Sequence, residues 1–132
     1  MHPRFRAALV FAGVALSLTG CGGSKQAPVD DVARAFYAAV EERDGSGACG
    51  LLAPETRSEL ERTEGMACSA AVLEQDVPEA GEIRATSVYG TMAQVRYDKD
   101  TVFLTRFPSG WKVMAVACSK TPSSRYECEV KG

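Results

Sequence analysis

Apolar side chains fall at Val29, Val32, Ala33, Phe36, Tyr37 and Val40. That spacing of three and four places them along one stripe of an α-helix. Asp30 and Asp31 stand in the first turn, where carboxylates face the positive end of the helix dipole. Gly45, after Arg43-Asp44, is a stop signal, so the pattern predicts a helix over 30–43. Residues 48–53 form a short apolar turn of helix. Pro54 opens a polar surface helix, because proline suits the first helical position. Gly65 breaks that helix, and a short one resumes at Cys68.

From Glu82 the apolar period drops toward two, the mark of strands. Runs at 83–89, 91–97, 101–107 and 111–118 are separated by turns at Gly90, Asp98-Lys99-Asp100 and Pro108-Ser109-Gly110. Val102 and Leu104 share one face of the third run, and Phe103 and Phe107 the other. Trp111, Val113, Ala115 and Ala117 share a face of the fourth. Connections this short force antiparallel neighbours. A short last strand follows from Arg125, at an edge. Helices first and strands afterwards define an α+β domain. The expected architecture is a curved four-stranded meander wrapped around one long amphipathic helix. No internal repeat is present.

The chain opens with Arg4 and Arg6, then runs almost uncharged from Ala7 to Thr19. A basic start and an apolar run of about a dozen residues match a secretory signal peptide, and fall short of the ~20 residues of a membrane span. The run ends in Leu18-Thr19-Gly20-Cys21, which resembles the lipobox of bacterial lipoproteins. The resemblance implies cleavage before Cys21 and a diacylglycerol thioether on its sulfur, with fatty-acyl (palmitate-type) chains. Two chains make a stable anchor where one is marginal. Residues 21–28 read as a flexible tether, small and polar with Pro28 at the end. The organisation expected is therefore signal peptide 1–20, tether 21–28 and one domain over 29–132. It would sit on the extracytoplasmic side of a bacterial cell membrane.

Removing residues 1–20 takes away Arg4, Arg6 and the only histidine, His2, and moves the formal charge from −2 to −4. An acidic domain without a Lys/Arg cluster is not a nucleic-acid binder. Without histidine there is no Ser-His-Asp or Cys-His arrangement and no His-containing zinc site. No cofactor or metal is expected. With Cys21 acylated, Cys49, Cys68, Cys118 and Cys128 remain, an even number in an oxidising compartment. Four cysteines allow three connectivities. Proximity in sequence favours Cys49–Cys68 and Cys118–Cys128. The chain has no C-x-x-C to suggest a redox or metal thiol pair.

Two stretches carry a family resemblance. Residues 32–54, from Val32-Ala33-Arg34-Ala35-Phe36-Tyr37 to Pro54, resemble the first helix and following turn of small actinobacterial lipoproteins with an NTF2-like domain. Residues 109–118, with Gly110-Trp111-Lys112-Val113, and 125–132 resemble their last long strand and cysteine segment. The resemblance covers about half the mature chain and implies a pocket between helix and sheet; a cystatin-like fold is the alternative. NTF2-like domains host enzymes, binding modules and assembly subunits alike, so fold does not select function. The leading expectation is a non-catalytic binding domain for a small ligand or an envelope protein. Its candidate pocket residues are Phe36, Tyr37, Tyr89, Tyr97, Phe103 and Trp111. The alternatives are a regulatory partner of a membrane or cell-wall protein, and an isomerase, dehydratase or cyclase built on a buried Asp and a Tyr. For the enzyme, Asp30, Asp31 and Asp44 fall at helix ends, Asp98 and Asp100 in a turn, Asp76 in a loop, and Glu41 and Glu42 on a polar face. None is an inward carboxylate, and no catalytic residue is assigned.

Overall fold

The computed structural model describes residues 25–132; the expected signal peptide 1–20 and Cys21 lie outside the described residues. Four helices come first: α1 (Ala27–Glu41), α2 (Gly45–Leu51), α3 (Pro54–Glu64) and α4 (Cys68–Ala71), the last running into a 3-10 turn at Val72–Glu74. Five strands follow: β1 (Ile83–Tyr89), β2 (Met92–Tyr97), β3 (Thr101–Phe107), β4 (Gly110–Lys120) and β5 (Tyr126–Lys131). The α+β class expected from the sequence is what forms. No described helix is long and apolar enough to cross a membrane.

α1 begins at Ala27, earlier than the apolar stripe suggests, because Pro28 is accommodated in the first turn. Two residues assigned to the tether therefore belong to the domain. Val29, Ala33 and Phe36 are fully buried, while Val32, Tyr37 and Val40 are partly so. Burial of the Phe36 ring alone stabilises by about 3 kcal/mol. Gly45 is not the end of α1. The chain turns at Arg43, whose φ is 57°, and Gly45 opens α2, with the Asp44 carboxylate accepting from the Gly47 amide at 2.9 Å. A Cβ on Gly45 would lie 1.8 Å from the Ser69 carbonyl oxygen. Glycine is needed there so that α2 can lie against α4, and the Cys49–Cys68 disulfide joins the same two helices.

The sheet is a continuous antiparallel meander in the order β1-β2-β3-β4-β5. It has five strands, not four: β5 pairs with β4 from Ala115↔Lys131 to Lys120↔Tyr126, with Cys118 directly opposite Cys128 and bonded to it. The backbone completes its ladder there although the strand's outer residues are polar.

β4 carries a bulge. Leu104 pairs with Val113 and Phe103 with Ala115, which leaves Met114 extra. The Met114 carbonyl instead accepts from the Thr56 hydroxyl at 2.8 Å and the Gly132 amide at 3.3 Å. The side-chain alternation resets, so Val113 and Val116 are both fully buried. The single face expected for Trp111, Val113, Ala115 and Ala117 is thereby split. The core lies between helices and sheet: Phe36 and Val72 from one side, Val95, Val102, Leu104, Val113, Val116 and Val130 from the other.

Candidate functional site

Three contacts set the direction of α1 on the sheet. Asp30 accepts from the Thr86 hydroxyl at 2.5 Å, and Thr86 pairs with Val95. Further along, Tyr37 packs edge-on against Tyr97, with ring centroids 4.9 Å apart, and donates to Asp100. α1 thus runs alongside β2 in the same direction. Ile83 pairs with Tyr97, so residues 77–82, which lead into β1, lie beside the C-terminal half of α1.

A cleft of about 590 Å3 opens between that segment and the helix. Arg34, Tyr37, Ala38, Val40 and Glu41 of α1 form one wall; Val77, Pro78, Glu79, Ala80, Gly81 and Glu82 form the other; Tyr97 completes the lining. Arg34, Tyr37, Ala38 and Glu41 are spaced 0, 3, 4 and 7 along one face of the helix, and Val40 flanks them. The opposite wall is pinned by Asp98. Its carboxylate accepts from the Glu82 amide at 3.0 Å and from the Arg84 guanidinium. These bonds, the Glu82 amide first, hold the Asp98 pKa below its ordinary value of 3.8. The Asp98 amide returns a bond to the Glu82 carbonyl at 3.0 Å, and the Lys99 amide one to Ala80 at 3.1 Å. Gly81 has φ 79°, and a Cβ there would come within 2.9 Å of the Asp98 Cβ.

Beneath the cleft lies a polar knot around Asp100, which sequence reading placed in a turn and did not read as an inward carboxylate. Asp100 is only 6% exposed. One carboxylate oxygen accepts from the Tyr37 hydroxyl at 2.5 Å and the Ala117 amide at 3.1 Å. The other accepts from the Thr101 amide at 2.7 Å and the Cys118 amide at 2.9 Å. Ala117 takes φ 56°, which turns two successive amides of β4 toward one anion, as in a backbone nest. Burial, and then the charge and hydrogen bond of Asp100, push the Tyr37 pKa far above the tyrosine range. Burial also lifts Tyr97 to about 12. The Tyr97 hydroxyl is buried and has no hydrogen-bond partner among the described residues.

The six aromatic candidates separate into four settings. Tyr37 and Tyr97 line the cleft. Phe36 is wholly core. Tyr89 and Phe103 lie on the sheet face turned from the helices, beside Met92 and Gln94 in a shallower depression of about 300 Å3. Phe103 also meets Tyr126 edge-on, centroids 5.0 Å apart. Trp111 packs at the core margin with the Arg106 guanidinium 5.9 Å from its ring centre. Sequence reading did not single out Arg34, Glu79 and Glu82 for this site. Only the fold brings them to one opening, and no local signal distinguishes them from other surface charges. Comparison with family models, curated proteins and solved structures finds no match for the chain.

Proposed function

We propose that this protein is a lipid-anchored extracytoplasmic binding protein whose ligand site is the cleft between α1 and residues 77–82. The observation that carries the binding reading is the cleft itself, walled by α1 and residues 77–82 and lined by the Tyr37 and Tyr97 side chains. Its volume falls in the range of ligand pockets, roughly 300–1,000 Å3. The buried carboxylate nearby speaks for structure rather than chemistry. A carboxylate has about four acceptor positions, and Asp100 uses four. It has no free lone pair with which to take a proton from a substrate. The NTF2-like architecture belongs to the same proposal, supported by helices laid on one face of a meander. The anchor rests on Leu18-Thr19-Gly20-Cys21. With α1 starting at Ala27, the tether is six residues, which holds the domain within about 20 Å of the bilayer.

Intact mass of the full-length product, extracted from a bacterial host in mild detergent, tests both parts. The expected denatured mass begins at Cys21, carries diacylglycerol and lacks four hydrogens for two disulfides. The expected native mass carries an addition that Ala38→Trp, which fills the cleft mouth, removes. Retention of residues 1–20 overturns the anchor. An addition that survives Ala38→Trp overturns the cleft as the site.

A further inference from the structure

The charges around the cleft are divided between its ends. Arg34 lies one turn before Tyr37, and Glu41 one turn after it. Seven residues of helix separate them by about 10 Å. Glu79 and Glu82 stand on the facing wall, beside the C-terminal half of α1 and so toward the Glu41 end. Glu41, Glu79 and Glu82 form no ion pair among the described residues. Arg34 has only a limiting contact of 4.0 Å with Asp31, both side chains well exposed. Such a pair is worth little, so the guanidinium is available to another anion. Between the charged ends lie the Tyr37 and Tyr97 rings with Val40, Val77 and Pro78.

We infer that the cleft binds a short free peptide of about three residues, its carboxylate on Arg34 and its ammonium among Glu41, Glu79 and Glu82. This rests on the reading of the cleft as a ligand site and names the ligand's chemistry. Three considerations agree. An extended chain covers 3.3–3.6 Å per residue, so about three residues span the ~10 Å between the opposed charges. A guanidinium matches a carboxylate in a two-pronged geometry. A peptide differs from a simple aliphatic zwitterion in carrying backbone donors and acceptors along its middle. The small lining residues Ala38, Ala80 and Gly81 leave room for that backbone between the two walls.

The test uses the full chain in detergent micelles, with trialanine, its N-acetyl form, its C-amide form and the doubly blocked form as probes. Binding is read by calorimetry and by amide shifts of Ala38 and Ala80. Trialanine is expected to bind more tightly than about 1 mM, a modest affinity on the usual scale. Blocking either terminus is expected to weaken it roughly tenfold, the value of one 1.4 kcal/mol contact. Arg34→Gln should erase the preference for a free carboxylate and leave that for a free ammonium; Glu41→Gln should weaken the ammonium preference alone. Equal binding of free and doubly blocked peptide, with shifts at Ala38 and Ala80, overturns the zwitterion and leaves the cleft. No shift with any probe overturns both.

Discussion

Replacing Asp100 by asparagine removes one charge and almost no volume, and should unfold much of the margin of stability. The carboxylate receives four donors: the Tyr37 hydroxyl and the amides of Thr101, Ala117 and Cys118. An asparagine carbonyl can receive at most two of them, and its NH2 group would face the other pair. At least two buried donors lose their acceptor. Each costs about 1–3 kcal/mol, so the loss for two should be about 2–6 kcal/mol. Relief of the buried charge offsets part of this, because no cation pairs with Asp100 among the described residues; about 3 kcal/mol should remain. For a domain near 100 residues that lowers Tm by roughly 12–20 °C. Tyr37→Phe removes one donor and leaves three, and should cost about 1–2 kcal/mol. Chemical denaturation of both single variants and the double variant at pH 7 measures the coupling. If Asp100→Asn lies within 1 kcal/mol of the parent, the carboxylate does not hold α1, the β2–β3 turn and β4 together, and the argument fails.

Three further outcomes are expected. Tyr97→Phe removes a buried unpaired hydroxyl and should raise stability by about 1 kcal/mol at pH 7; an equal or lower denaturation midpoint would mean that the hydroxyl has a partner. Because the folded pKa of Tyr97, about 12, lies above its ordinary value of 10.0, its contribution is intact below pH 10 and is lost as pH rises toward 12. Phenolate absorbance should therefore show Tyr97 titrating late in the parent, a late component missing in the phenylalanine variant. Cys118→Ser should cost about 3 kcal/mol by loop entropy and expose one reactive thiol, on Cys128; modification found on Cys49 or Cys68 would contradict the pairing. Gly45→Ala forces a Cβ against the Ser69 carbonyl and should cost about 1–3 kcal/mol or more, whereas Gly50→Ala, with open space around it, should be neutral or mildly stabilising. Equal melting points for the two would show that α2 shifts freely on α4.

The helix stripe, the change of period at Glu82 and the turn residues were enough to place α1, α3 and β1–β3, because those signals act within a few residues. The disulfide pairs followed from sequence proximity, since each joins elements that are neighbours along the chain. β5 was read as a short edge strand outside the four-stranded meander because its polar residues hide how much of one side of its backbone pairs with β4. The reset at Met114 could not be read either: the bulge exists because Thr56, fifty-eight residues away, and Gly132 both bond to the Met114 carbonyl. Gly45 looked like a helix stop because glycine serves both purposes, and only the approach of Ser69 shows which one applies.

Asp98 and Asp100 show the division most clearly. In the sequence they are two aspartates flanking Lys99, both consistent with a hairpin turn. The turn between β2 and β3 points one outward, to pin Gly81 and Glu82, and the other inward, under Tyr37 and the turned amides of β4. The sequence by itself determined the α+β class, the apolar stripe of α1 and the change to strand period at Glu82. Local periodicity and composition suffice for those. The tertiary structure alone decided which carboxylate is buried and which charged residues share a cleft. Both depend on contacts between residues dozens of positions apart, and such contacts leave no periodic trace in the chain.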